Sequence, residues 1–181
     1  MHEDMTLPEE IKWEGKFIVA KKRGRWEYVS RSRGIGAAVI LAIDEAPDGR
    51  HVILVEQYRV PLQSRCIELP AGLVGDGDEA DEAPALAAAR ELEEETGYHA
   101  DSIEDLGKFH SSPGMVSESF TLFRARGLTR VSAGGGTEGE GITVHRVALD
   151  GLDAWLNDRR AEGYAIDVKL LLLLGAAFSA P

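Results

Sequence analysis

Five glutamates and one arginine crowd a short stretch near the middle of this 181-residue chain, in the segment Glu82-Ala-Pro-Ala-Leu-Ala-Ala-Ala-Arg90-Glu91-Leu92-Glu93-Glu94-Glu95-Thr96-Gly97-Tyr98. On a helix, Glu91, Glu94 and Glu95 stand at i, i+3 and i+4 and share one face. Like charges at that spacing oppose the helix by roughly 0.2–0.5 kcal/mol per pair in water. A bound divalent cation reverses the sign, because carboxylate oxygens are preferred ligands of hard ions such as Mg²⁺. Arg90 carries a planar fork of donors that can bridge neighbouring acids and hold them in place. Taken alone, the three glutamates read equally well as a solubilising charged helix. The wider pattern has to decide.

The elements that would position these groups can be read from periodicity. Ala, Leu, Arg and Glu dominate residues 84–96, and all are strong helix formers. Pro84 suits a first helical turn and Gly97 sits where a helix stop belongs. Leu86, Ala89 and Leu92 predict the apolar face of that helix. Before it, 16–21 and 25–30 are short β-type runs around a Lys22-Arg23-Gly24 turn, a hairpin. Residues 36–43 and 51–58 are buried strands joined antiparallel through Pro47-Asp48-Gly49. After it, 103–109, 119–125 and 141–148 read as strands, and 152–162 and 168–178 as helices. The sum is an α/β or α+β layered domain, a mixed β-sheet sandwiched between helices.

Bulk properties narrow the function. The length suits one ordinary globular domain. A formal net charge of −11 disfavours a broad contact surface for a nucleic-acid backbone. Cys66 is the only cysteine, which excludes an intrachain disulfide, fits a reducing compartment and reads as a small buried side chain. The acidic N-terminus is unlike a signal peptide. The apolar run from Leu170 to Phe178 is shorter than the roughly 20 residues a bilayer span requires, so a cytoplasmic protein without a membrane partner is expected.

The segment from Glu82 to Tyr98 resembles the Nudix box, G-x5-E-x7-R-E-U-x-E-E-x-G-U, where U is a bulky aliphatic or aromatic residue. From its first glutamate onward the match holds at every specified position. The box glycine would fall on Asp76. Gly72, in Glu68-Leu69-Pro70-Ala71-Gly72-Leu73, is the alternative, and it leaves four extra residues in the loop before Glu82. Loops absorb such insertions cheaply, although Glu79 then competes with Glu82 for its place.

Features outside the box resemble the ADP-ribose pyrophosphatase branch of the Nudix hydrolases, from about Trp13 onward. Val55-Glu56-Gln57-Tyr58-Arg59-Val60-Pro61 is similar to its Q-Y-R-x-P strand end, and Pro113 stands fifteen residues after Tyr98, at the offset of its downstream proline. Ile166-Asp167-Val168-Lys169 is similar to its closing helix. The resemblance implies a Nudix fold over 35–181 and an N-terminal β-hairpin segment over 1–34 that exchanges between subunits of a homodimer. It also implies hydrolysis of a nucleoside diphosphate sugar, ADP-ribose above others such as GDP-mannose. Glu91 and Glu95, with Glu94 and the Ala71 carbonyl contributing, become the ligands of Mg²⁺ or Mn²⁺. Glu82 and Arg90 support them. Arg59 becomes a phosphate or ribose contact, Trp26 an adenine platform, and Pro113 a substrate-side residue. Glu140, in the loop after Gly134-Gly135-Gly136, becomes the general base, with Glu138 as fallback and further substrate contact. A nucleotide-sugar sensor without catalysis is the rival class, and it is expected to lose ligand glutamates that this chain keeps.

Overall fold

The computed structural model describes residues 3–32, 34, 36–75 and 83–174. Three short strands, β1 (Glu9–Glu14), β2 (Ile18–Arg23) and β3 (Trp26–Arg31), form an antiparallel sheet of their own in the order β1-β2-β3. The predicted hairpin is β2–β3. The third strand escaped the sequence because Glu-Glu-Ile-Lys-Trp-Glu is exposed along its whole length, so no burial pattern marks it.

The second sheet holds β4 (Ala37–Ala46), β5 (Gly49–Arg59), β6 (Ser64–Glu68), β7 (Ala71–Leu73), β8 (Tyr98–His110), β9 (Ser119–Arg130), β10 (Thr143–Ala148) and β11 (Ala165–Ile166). Its order is β11-β6-β5-β4-β9-β8, with β10 added to β5 and β7 to β4. The β4–β9 and β6–β11 pairs are parallel and the others antiparallel, so the sheet is mixed, as expected.

The apolar run in β4 is explained by burial on both faces. Val39 and Leu41 join one core with Leu54, Ile67, Leu122, Leu156 and Leu170. The alternating residues Ala38, Ile40 and Ala42 join another with Ile53, Ala88, Leu92 and Phe123. Helix α1 (Pro84–Thr96) covers the second face and α2 (Leu152–Ala161) the first. The sheet is thus sandwiched between helices.

Two expectations need correction. The buried stripe of α1 is Ala88, Leu92 and Thr96, while Leu86 is 65% exposed. Small alanines let the helix approach the sheet closely, and a run of three alanines does not reveal which of them faces inward. The closing segment is a 3₁₀ helix over Val168–Leu174, and the remainder of the predicted 168–178 helix lies outside the described residues. Asp167 starts it, accepting from Leu170 N–H through its carbonyl and from Lys169 N–H through its carboxylate. At three residues per turn, Leu170 and Leu173 both face the core. Among the described residues no helix is long and apolar enough to cross a membrane.

Candidate functional site

Helix α1 begins at Pro84 without a side-chain cap and stops at Gly97, whose φ is 74°. A side chain at Gly97 would also strike the Ser132 carbonyl, since a Cβ there would lie 2.3 Å from that oxygen. Beside the buried stripe runs a second, Ala87, Glu91 and Glu95, spaced by four residues, and its two acids meet β7. Glu95 is 8% exposed, and one of its oxygens (Oε2) accepts a hydrogen bond from Ala71 N–H at 3.0 Å. Burial pushes the Glu95 carboxyl up to about 8, and the charges of Glu91 and Glu140 push the same way. The bond from Ala71 and the positive charge of Arg59 only partly oppose this.

Glu91 packs on Gly72. A Cβ at Gly72 would stand 2.0 Å from the Glu91 carboxyl carbon, so this close approach requires glycine. Asp76, where the box glycine would fall by strict spacing, lies outside the described residues. Burial raises the Glu91 carboxyl above its ordinary range, against the pull of Arg90. Arg90 bridges Glu91 (3.0 Å) and Glu94 (2.9 Å), which is the bridging role read from the sequence. Its other predicted partner, Glu82, lies outside the described residues, as does Glu79.

The shared face of three glutamates is therefore divided. Glu95 is buried against Ala71, Glu91 half-buried against Gly72, and Glu94 exposed on Arg90. Among the described residues no three His, Cys, Asp or Glu side chains converge closely enough to surround one cation. The donor chemistry still fits a hard divalent ion. Two desolvated carboxylates sit side by side, with the charge of Glu91 raising Glu95 and that of Glu140 raising both, and a cation would relieve both the repulsion and the desolvation.

Arg59, Glu68, Ala71 and Gly72 line one cleft of about 380 Å³. Arg59 closes a two-point pair with Glu68, from Nε at 2.6 Å and from a terminal nitrogen at 3.0 Å. Glu68 is 6% exposed, so the cleft has a fixed positive group backed by a buried negative one. Cys66, in the same strand as Glu68, is buried, and its thiol is pushed up to about 12, first by desolvation and then by the charge of Glu68. At that value it is no nucleophile near neutrality.

The loop after β9 hangs from the end of α1. Gly135 N–H and Gly136 N–H donate to the carbonyls of Glu95 and Glu94 at 2.8 and 3.0 Å. This brings Glu140 near enough for its charge to be felt at both Glu91 and Glu95. The Glu140 carboxylate accepts from Thr137 N–H at 2.6 Å. Glu138 lies exposed in the same loop.

Trp26 and Pro113 line a second cleft, of about 510 Å³, with Tyr28 and Val116. It shares no lining residue with the Arg59 cleft. Between them, β3 docks on the segment before β9, through Val29 N–H to Met115 O at 3.0 Å and Ser117 N–H to Val29 O at 2.9 Å. Trp26 is 44% exposed and donates from its indole to Asp4 at 3.2 Å. Sequence reasoning did not single out Glu56, Glu68, Arg65 or His145. The available signal was a glutamate directly after apolar residues within a strand, in Val55-Glu56 and Ile67-Glu68.

The NUDIX domain family model matches residues 33–164. The chain belongs to the Nudix family. This Nudix protein is 34% identical over 133 residues to the ADP-ribose pyrophosphatase of Bacillus subtilis, covering 70% of this chain and 68% of that one. It is 36% identical over 126 residues to the methanol dehydrogenase activator of Bacillus methanolicus, covering 69% and 64%. The match thus spans slightly less than two thirds of that relative's length. It is 33% identical over 150 residues to the GDP-mannose pyrophosphatase of Cronobacter sakazakii, covering 78% and 72%. A crystal structure of an ADP compounds hydrolase superposes with a TM-score of 0.65 at 24% identity, covering 93% of this chain and 90% of that one. That likeness establishes the Nudix fold.

Proposed function

We propose that this Nudix protein hydrolyses the diphosphate linkage of a nucleoside diphosphate sugar, ADP-ribose giving AMP and ribose 5-phosphate. The observation that carries the reading is Glu95, buried beside Glu91 and bonded to Ala71, which lines one cleft together with Arg59. Such a pair of desolvated acids is costly unless it holds a cation.

Glu91 and Glu95 would hold Mg²⁺ or Mn²⁺, with Glu94 and the Ala71 carbonyl contributing. When bound, the ion neutralises charge on the phosphoryl oxygens and acidifies a water. Arg59 fixes a non-bridging oxygen with the donors Glu68 leaves free. Glu140 accepts the proton of the attacking water as its oxygen bonds to one phosphorus and the anhydride P–O bond breaks. Trp26 and Pro113 offer the base a flat apolar platform. The chain would act as a homodimer through residues 1–34, where Ile11, Trp13, Phe17 and Ile18 expose apolar surface. Sedimentation of the full chain tests that assembly.

Product analysis on ADP-ribose and on GDP-mannose, each with and without Mg²⁺, tests the activity. AMP formed only with the ion supports the reading. Preferential release of GMP from GDP-mannose would move the protein to the chemistry named for its Cronobacter relative. Binding of both substrates without turnover would make it a sensor.

A further inference from the structure

Residue Glu56 is an anomaly: a carboxylate 6% exposed in the middle of a strand-rich core. It lies on β5, which pairs with β6 on one side and β10 on the other. Glu56 faces Ile67 across the first pairing and Thr143 across the second. Its diagonal neighbours two residues away are Arg65 on β6 and His145 on β10, and both reach it. Arg65 Nε forms an ion pair with one oxygen, and His145 Nε2 stands 2.8 Å from the other.

Arg65 does more than neutralise Glu56. Its terminal nitrogen continues across β5 to the Gly141 carbonyl at 3.3 Å and the Thr143 hydroxyl at 3.4 Å. These two residues are where the Glu140 loop rejoins the sheet. On the same strand, Gln57 Nε2 donates to the Glu140 carbonyl itself at 3.3 Å. The other end of the loop is already fixed to α1 through Gly135 and Gly136. The loop is therefore tethered at both bases, to the glutamate helix at one and to the Glu56–Arg65 pair at the other.

We infer that Arg65 is a positioning residue for the proposed reaction: seated on buried Glu56, it fixes where the loop presents Glu140 to Glu91 and Glu95. This rests on the hydrolytic reading above. The buried acid holds the guanidinium at the angle at which its far side meets the loop, and Gln57 adds a second hold. A lysine at 65 keeps the charge against Glu56 but has no fork to extend to Gly141 and Thr143.

The test uses the full chain with Mg²⁺ and ADP-ribose. Arg65→Lys should lower kcat about 10- to 100-fold with KM little changed, the scale expected when a catalytic group is displaced by about 1 Å. In a Glu140→Gln background the same substitution should cost less than about twofold, because the group it positions is gone. Hydrogen exchange of the amides at 136–142 should speed up in Arg65→Lys while those of α1 stay unchanged, and Gln57→Ala should repeat this more weakly. Equal kcat losses in both backgrounds, or unchanged loop exchange, would overturn the positioning role. Full activity of Glu140→Gln would instead overturn the assignment of Glu140, and this inference with it.

Discussion

Ala71 N–H and the Glu95 carboxylate join the short strand β7 to the glutamate helix by a hydrogen bond of 3.0 Å. It fixes a buried acid against Ala71, a lining residue of the Arg59 cleft, and sets up the contrast between catalysis and stability. Glu95→Gln should cut turnover by roughly three orders of magnitude if the carboxylate charge is required. The same change removes a desolvated acid and should leave the chelator-treated melting temperature unchanged or higher. Steady-state rates and thermal melts on the same preparation check both; full activity with a normal fold would sink the ligand assignment.

The raised Glu95 carboxyl also gives a pH dependence. A carboxyl ionising near 4.5 when unfolded and about 8 when folded favours the protonated native form. Its contribution is full below about pH 4.5, is lost as pH rises to about 8, and is constant above. Chelator-treated wild type should therefore lose stability relative to Glu95→Gln across that window. Divalent-ion affinity should rise with pH over the same range, because binding expels the proton. Denaturant titrations at pH 5 and 8.5 on both proteins measure the first, and calorimetry the second. A pH-independent difference between them would refute the shift.

At Gly72 the expectation is loss of activity with little loss of fold. A Cβ there collides with the end of the Glu91 side chain, which is flexible and can turn away. Gly72→Ala should cost about 1 kcal/mol or less in stability and at least about tenfold in ion affinity. An unchanged ion titration would show that Glu91 is not a ligand.

Arg59 has two roles that substitutions can separate. Arg59→Lys keeps a charge beside buried Glu68 but loses the fork, so KM should rise about tenfold or more with a modest change in melting temperature. Arg59→Met leaves Glu68 unpaired and should also destabilise the protein by about 1–3 kcal/mol, toward the low end because Arg59 is itself part-exposed. KM unaffected in both variants would remove Arg59 from the substrate site.

Trp26 should matter for the base and not for the chemistry. Trp26→Ala should raise KM for ADP-ribose about 5- to 100-fold, equivalent to about 1–3 kcal/mol of stacking, with kcat within about twofold. A fall in kcat without a change in KM would place its role elsewhere.

The sequence by itself determined the glutamate helix, its ends at Pro84 and Gly97, the layered sheet and the family. Each of these rests on short-range regularity: helix formers in a row, a terminal glycine, alternating or continuous apolar runs, fixed spacing within one segment. It did not determine the exposed strand β1, which has no buried side, or the face of α1 that turns inward, which depends on which alanines the sheet can approach. Nor did it show that Glu91, Glu94 and Glu95 have three different environments. Helical spacing places them together, but burial against Ala71 and Gly72 and the competing pull of Arg90 depend on strands far away in the chain. The Arg59–Glu68 and Arg65–Glu56 pairs are of the same kind. Their partners meet only because β5 and β6 pair in one register, and a buried charge can be interpreted only once its neighbours across the sheet are known.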